Sequence, residues 1–459
     1  MNNSELAVVI LAAGKGTRMK SDLPKVLHPL AGRPMVSHVT ATASELSPDK
    51  VVAIVGVDMA EIGDAVRSVY PTAQIAVQNP PRGTGDGVMQ ARDALAGFGG
   101  DVLVLFGDTP LVTSQTMQML RASLHGEDGA GEEIEDNKAA VAVLGFRPED
   151  PTGYGRLIEA IDGTLDAIVE HADATPEQQA VTLCNSGVMA IDGARMFELL
   201  DQIGNDNAKG EYYLTDIIAL ARRKGWSCAV AEAPVAEVLG VNSRMQLAEA
   251  EAILQSRLRH LAMENGATLQ DPETVYFSFD TRLGRDVTVG PQVWFGSGVT
   301  IGDNVDIRAF CHIEGAVVAN DAVIGPYARL RPEAVIGRSA HIGNFVEVKK
   351  SDIGEGAKAN HLTYIGDATV GAGANVGAGT ITCNYDGFNK HRTEIGEGAF
   401  IGSNTSLVAP VKVGDGAITG AGSVITKEVE GDALALTRSD QKQIDGWAAR
   451  FRAKFSKSK

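Results

Sequence analysis

The chain has 459 residues, too many for one ordinary hydrophobic core, so two substantial domains are expected. With 41 Lys and Arg against 58 Asp and Glu, its formal charge of −17 at pH 7 repels polyanions and excludes nucleic acid as the expected partner. Four cysteines, Cys184, Cys228, Cys311 and Cys383, stand far apart without a CxxC pair, which excludes a disulfide framework and a zinc site and fits a reducing, cytoplasmic setting. The first element is the apolar run Ala7 to Ala13, too short for a signal peptide or a membrane span, and no other stretch is long enough to cross a bilayer.

The runs Ala7 to Leu11, Val51 to Val55 and Val102 to Phe106 are β-rich, each closed by glycine or a turn and separated by helical patterns. That rhythm predicts βαβ units and a mostly parallel sheet covered by helices, with ligands at the carboxyl ends of its strands. The acidic, glycine-rich segment Gly126 to Asn137 reads as a mobile surface loop. Leu247, Ala250, Leu254, Leu258 and Leu261 follow three-and-four steps ending at Gly266, one amphipathic helix with Asn242 or Ser243 as its cap. The expected division is therefore residues 1–245, a linker helix 246–268, and residues 269–459.

After about Asp280 an aliphatic residue followed by glycine recurs with a six-residue step, as in Val289-Gly290, Ile301-Gly302, Ile324-Gly325, Ile336-Gly337 and Ile342-Gly343. Phe295, Ile307, Ile313, Leu330 and Val348 keep the step without glycine, and Ile353, Ile365, Val376, Ile395, Ile401, Leu407 and Val413 continue it after slips. This hexapeptide array predicts a triangular coil whose aliphatic residues point to the axis, whose small residues allow the corners, and whose stacked turns pair as parallel strands. The closing segment Arg450 to Lys459 carries Arg452, Lys454, Lys457 and Lys459 and reads as a solvated terminus.

Several residues carry chemistry. Leu11-Ala12-Ala13-Gly14-Lys15-Gly16-Thr17-Arg18-Met19 follows a strand directly, so its amides can wrap a triphosphate while Lys15 and Arg18 supply charge. The spacing is neither Walker nor GxGxxG, which disfavours an ordinary kinase or dehydrogenase. Lys25, in Leu23-Pro24-Lys25, adds a cation at a turn, and Asp108, just after a buried strand, offers a hard oxygen to Mg2+, a turn or cap role being the bland alternative. In the array, Arg331, Lys349 and His361 are charged or titratable where a coil needs few such residues, and Asn384-Tyr385 fall where the repeat is interrupted.

Leu11 through Met19 with Leu23-Pro24-Lys25 resembles the signature of the nucleoside-diphosphate-sugar pyrophosphorylases. Joined to the hexapeptide half, the chain from about Val8 to Arg438 resembles the bifunctional sugar-1-phosphate uridylyltransferase and acetyltransferase enzymes. The resemblance implies an α/β Rossmann-like nucleotidyltransferase domain, then a left-handed parallel β-helix, in a homotrimer with acetyl-transfer sites between subunits. It implies that acetyl-CoA acetylates glucosamine-1-phosphate in the second half and that the first half, with UTP and Mg2+, converts N-acetylglucosamine-1-phosphate to UDP-N-acetylglucosamine, a precursor of cell-wall polymers.

Carried over residue by residue, Leu11, Ala12, Ala13, Gly14, Arg18 and Lys25 hold the nucleotide, with Arg18 and Lys25 neutralising charge in transfer. Gln78, Gly83 and Thr84 hold the uracil, Gly155, Glu170 and Asn185 the sugar, and Asp108 and Asn242 the metal. Ser186 and Phe106 stand where threonine and tyrosine are common in the family. In the second half Arg331, Lys349, Tyr364 and Asn375 bind glucosamine-1-phosphate, while Ala378, Asn384, Tyr385, Ser403, Ala421 and Arg438 meet acetyl-CoA. His361 is the general base, since the sugar ammonium must lose a proton before its nitrogen attacks a thioester, and Glu347 is the residue expected to orient it. A Cys383 acyl-enzyme is disfavoured for want of an adjacent base. The alternatives are a single-activity nucleotidyltransferase with a structural β-helix, against which His361, Lys349, Arg331 and Tyr364 speak together, and a non-enzymatic scaffold, against which Asp108, Asn242, Arg18 and Lys25 speak.

Overall fold

The computed structural model describes residues 5–126, 138–161, 163–207 and 209–456, so the expected acidic loop lies, beyond Gly126, outside the described residues. The chain divides into two compact units, Met1–Ser256 and Arg257–Lys459, and the division falls within the helix Arg244–Glu264.

The first unit is built on strands β1 (Leu6–Leu11), β2 (Lys50–Gly56), β3 (Gln74–Gln78), β4 (Asp101–Phe106), β5 (Val141–Phe146), β6 (Cys184–Asp192) and β7 (Cys228–Glu232), in the order β7-β5-β6-β4-β1-β2-β3. All neighbours run parallel except β6, which is antiparallel to both β4 and β5. The apolar run of β1 is continuous because both sheet faces are covered: Val8 and Ile10 enter one core, Ala7 and Val9 the other. In-register pairing brings Leu11 beside Phe106 and Gly56 beside Gln78, so the loops leaving β1, β3 and β4 emerge at one edge.

The helix Arg244–Glu264 is capped by Ser243, whose hydroxyl accepts the Gln246 amide at 3.3 Å. Asn242 therefore need not cap the helix, and its side-chain oxygen is turned to other use.

The second unit is a parallel β-helix of short strands in three rows. One row runs through Val289, Ile307, Ile324, Ile342, Ala359, Val376 and Ile401; a second through Leu283, Ile301, Val318, Ile336, Ile353, Val370, Ile395 and Val413; a third begins with Phe295, Ile313, Leu330, Val348 and Ile365. From Leu283 to Val376 residues stacked on successive coils are 17 or 18 apart in sequence, and the step lengthens across the interruption, where Val376 stacks on Ile401. All twelve aliphatic and aromatic positions that carry the step without an adjoining glycine or after slips, from Phe295 to Val413, lie in a single core.

Two details depart from the expected coil. A second inward position precedes the aliphatic residue by two, filled in different coils by Val293, Val299, Val305, Ala322, Ala328 and Ala340, so these turns bury a second apolar side chain beside the first. The glycine after the aliphatic residue is not the corner residue. Its absent side chain admits the next coil: a Cβ on Gly337 would lie 2.7 Å from the Ile353 carbonyl oxygen, and one on Gly302 2.8 Å from the Asn320 nitrogen. Left-handed backbone falls elsewhere, on glycines such as Gly298 and Gly373 and on non-glycine corners such as Phe310, Tyr327, Phe345 and Leu362, Gly325 being the exception among the glycines that follow an aliphatic residue.

The terminus is solvated as expected, but it carries an element that was not expected. Trp447–Phe455 forms a helix whose Trp447, Phe451 and Phe455 recur at four-residue steps, with ring centroids 5.0 and 4.9 Å apart, all exposed. A window opened at Arg450 omits Trp447 and so hides the periodicity.

Ile324 is fully buried in the axial core, and its truncation removes contacts to the coils on both sides. Ile324→Ala is expected to cost about 2–5 kcal/mol, measured as a lowered denaturation midpoint of the second unit by circular dichroism.

Candidate active sites

At the carboxyl edge of the first sheet lies a cavity of about 290 Å³. Leu11, Ala12, Ala13, Gly14, Lys25, Gln78, Gly83, Thr84 and Asp108 all line it. Its chemistry centres on Lys25, whose ammonium contacts Asp108 Oδ2 and donates to Asn242 Oδ1 at 2.9 Å. A carboxylate and an amide oxygen thus converge on a cation, though they come from segments far apart in the chain.

Gln78 is 5% exposed, and its Nε2 donates to the Gly83 carbonyl at 2.9 Å and to Asp86 Oδ2 at 2.8 Å. Thr84 Oγ1 accepts the Leu214 amide at 3.0 Å. These polar groups brace the loop that forms one wall, leaving Gln78 Oε1 and backbone groups for a ligand. Arg82 also clamps Asp86 at 2.8 Å, an ion pair that sequence reasoning did not single out.

Gly155 and Asn185 are brought together by the Asn185 amide, which donates to the Gly155 carbonyl at 2.8 Å. A Cβ on Gly155 would stand 3.6 Å from Glu170 Oε1, so Glu170 belongs to the same cluster. Burial pushes the Glu170 carboxyl above its usual value, against a lowering by Lys209. Phe106, on the cavity wall, packs against Gly187, where even a Cβ would lie 2.8 Å from the ring, and this ties the cluster to the cavity. Arg18 sits exposed on the short helical turn Thr17–Met19 and does not line the cavity.

In the β-helix, Asn344 and His361 are register partners on adjacent coils, as are Glu347 and Tyr364. Leu362, with φ of 50°, turns the corner between His361 and Tyr364. On one side of it, Arg331 donates to Glu347 Oε1 at 2.8 Å, and Asn384 Nδ2 reaches Tyr364 Oη at 3.5 Å and also bonds Asp367. The Lys390 side chain beside Lys349, and then Arg331, push the Lys349 ammonium below its usual value. Three cations crowded together make this a place for an anion. Lys390 went unnoticed in the sequence because it lies in the interruption of the repeat, where no periodicity points to it.

On the other side, one corner carries His361 and the acetyl-CoA candidates in a column. The Gly379 amide donates to the His361 carbonyl at 3.3 Å, Asn404 to that of Ala378 at 2.7 Å, Gly422 to that of Ser403 at 2.8 Å, and Arg438 Nη1 to that of Ala421 at 2.7 Å. Asn375 pairs with Lys358 and Phe400 on the neighbouring coils. Tyr385 is 61% exposed on the excursion after Asn384.

Glu347 does not orient His361. Its carboxylate is taken by Arg331 at 2.8 Å and Arg329 at 3.8 Å, because register stacks Glu347 over Arg329 rather than beside the imidazole. The partner of His361 is Asn344, whose Oδ1 lies 2.7 Å from Nδ1.

Comparison with known proteins agrees with both halves. Residues 8–208 match the MobA-like NTP transferase domain, and residues 315–350 and 392–427 match the bacterial transferase hexapeptide, the repeat of left-handed parallel β-helices. Over 453 residues the chain is 60% identical to the bifunctional protein GlmU of Paramagnetospirillum magneticum, covering 99% of this chain and 98% of that one. It is 61% identical over 451 residues to GlmU of Rhodospirillum rubrum, 98% of each chain, and 56% identical over 459 residues to GlmU of Azorhizobium caulinodans, 100% of each. The chain belongs to the GlmU family. It is a bifunctional transferase with a nucleotidyltransferase unit and a hexapeptide acyltransferase unit.

Burial pushes the Cys228 thiol up to about 12 and the Cys311 thiol up to about 11. The cavity wall is the more sensitive feature. Gly83 has φ of 117°, and a Cβ there would meet the Tyr212 carbonyl oxygen at 2.5 Å. Gly83→Ala is therefore expected to displace the loop at a cost of about 1–3 kcal/mol, seen as a lower thermal midpoint and faster amide exchange at Gly85, whose amide donates to Tyr212.

Proposed function

We propose that the Lys25, Asp108 and Asn242 cluster transfers a uridylyl group and that the His361 corner transfers an acetyl group. The reading rests on one observation: each unit gathers, from distant segments, the polar groups its half-reaction requires. The ammonium of glucosamine-1-phosphate first loses one proton to solvent; His361 then takes a second from the nitrogen as it bonds the acetyl carbon, and the carbon–sulfur bond breaks as that second proton passes from His361 to the CoA thiolate. Arg331, Lys349 and Lys390 neutralise the sugar phosphate, Tyr364 and Asn375 fix its orientation, and Asn384 and Tyr385 meet acetyl-CoA. The column from Ala378 through Ser403 and Ala421 to Arg438 accommodates acetyl-CoA, small side chains letting its arm lie close.

In the first unit, a phosphate oxygen of N-acetylglucosamine-1-phosphate attacks the α-phosphorus of UTP, and pyrophosphate leaves. The Ala12 to Gly14 turn holds the triphosphate, Gln78, Gly83 and Thr84 the uracil, and Gly155, Glu170 and Asn185 the sugar. Lys25 and Arg18 hold the departing phosphates. Asp108 and Asn242 fit a divalent cation, since their oxygens already converge on an ammonium, and Mg2+ held there would supply neutralisation of phosphate charge. Residues 1–245 form the uridylyltransferase domain, 246–268 the link, most of it in the helix Arg244–Glu264, and 269–459 the acetyltransferase domain.

The exposed corner ladder of Phe310, Tyr327 and Phe345, with ring centroids 4.7 and 5.1 Å apart, continues to Leu362 beside His361. Such an apolar corner supports a homotrimer in which neighbouring copies complete the acetyl-transfer sites. No described helix is long and apolar enough to cross a membrane, and the four cysteines are free, which supports a cytoplasmic enzyme.

Purified protein given glucosamine-1-phosphate, acetyl-CoA, UTP and Mg2+, each omitted in turn, is expected to release free CoA without UTP and, supplied with N-acetylglucosamine-1-phosphate, pyrophosphate without acetyl-CoA. Asp108→Ala is expected to cut pyrophosphate release about 100-fold or more and spare CoA release. His361→Ala does the reverse, by roughly 100- to 10,000-fold. Loss of both activities in either folded variant would overturn the assignment.

A further inference from the structure

A histidine that takes a proton through Nε2 must carry its own proton on Nδ1, and a neutral imidazole has two tautomers to choose between. Its partner at Nδ1 decides. In this structure that partner is the Asn344 side chain, with Oδ1 2.7 Å from Nδ1 of His361. An amide oxygen only accepts, so the contact requires Nδ1–H and leaves the lone pair on Nε2. Nε2 has no hydrogen-bond partner among the described residues. The next coil offers small residues, Ala378 and Gly379, so no side chain from there reaches across to claim it.

The pairing is built in by the fold. Asn344 and His361 face each other in the in-register strands His341–Lys349 and Lys358–Gly366. A Cβ on Gly343, which precedes Asn344, would lie 2.0 Å from the Asn360 carbonyl oxygen, so glycine there lets the two coils close on each other at this point. Glu347, the only carboxylate between Asn344 and Lys349, is held by Arg331 and Arg329 and is withdrawn from the imidazole.

We infer that Asn344 is the positioning residue of the acetyl-transfer site, fixing His361 as the Nδ1–H tautomer so that Nε2 receives the amine proton. The inference rests on the general-base reading of His361 for its consequence in catalysis, but not for the tautomer itself. A neutral amide is well matched to this role because it selects the tautomer and ring angle without placing a second negative charge beside the incoming sugar phosphate.

The test is nitrogen-15 NMR of the full-length protein labelled at histidine, at about pH 8.5, some two units above the ordinary imidazole value of ~6.5. His361→Gln assigns the resonances. The wild-type spectrum is expected to show His361 protonated at Nδ1; protonation at Nε2 overturns the proposal without any variant having to fold. Asn344→Ala is expected to give a mixture of tautomers and to lower kcat for CoA release about 10- to 100-fold with little change in KM for acetyl-CoA. Asn344→Asp, which can only accept from Nδ1, is expected to restore the tautomer. Pyrophosphate release from UTP and N-acetylglucosamine-1-phosphate stays unchanged in both. An unaltered tautomer in Asn344→Ala would also overturn the proposal. If His361→Gln keeps full acetyl transfer while the wild-type tautomer is Nδ1–H, the base assignment fails and the tautomer assignment stands.

Discussion

Parallel strands hydrogen-bonded in register do more here than hold two domains together. In the sheet they bring Leu11 beside Phe106 and Gly56 beside Gln78, so loops separated by tens of residues leave from one edge. In the β-helix they set Asn344 against His361 and Glu347 against Tyr364. A slip of one residue would turn each of these side chains to the opposite face, and both sites would disappear while the hydrogen-bond ladders survived. Apolar packing enforces the register: Val8 and Ile10 belong to one side of β1, Ala7 and Val9 to the other, and Ile324 and Ile342 to the axis of the coil.

Within that frame the two sites handle charge differently. The first unit gathers oxygens around a cation, with Asp108 and Asn242 converging on the Lys25 ammonium. The second gathers cations, Arg331, Lys349 and Lys390, and steadies one of them with Glu347. The first arrangement is made for a positive ion bound among phosphates, the second for a phosphate alone. Keeping Glu347 on arginine leaves the imidazole of His361 with a neutral partner, a division that adjacent coils can make because each face of the coil carries its own row of side chains.

Much of the fold could be read before the structure because the residues that build it must be apolar at fixed steps. Phe295, Ile313, Leu330 and the other inward positions announce the coil in this way, and the run Ala7 to Leu11 announces a strand buried on both faces. The turn at Ala12 to Gly14 could be read because it follows such a strand directly, whereas Lys25 and Asp108, each an ordinary turn residue taken alone, gained their roles from the resemblance to the nucleoside-diphosphate-sugar pyrophosphorylases. What could not be read depends on coil length. Whether Asn344 or Glu347 meets His361 is decided by a step of 17 residues, which a six-residue period does not predict to the residue. The role of Gly337 and Gly302, close approach and not turning, likewise needs the neighbouring coil. Lys390 sits in an interruption, and the aromatic row of Trp447, Phe451 and Phe455 begins before the basic run that drew attention to the terminus.

The account claims that register has already assembled the sites, so substrates enter without the strands being rebuilt. A crystal structure of the full chain with UTP and Mn2+ tests this most directly, read by anomalous scattering. The account predicts a manganese peak between Asp108 and Asn242, Lys25 turned onto phosphate oxygen, and the ends of β1, β3 and β4 displaced by no more than about 1 Å. Manganese bound away from both residues, or strand ends that must shift register to admit the nucleotide, would contradict it.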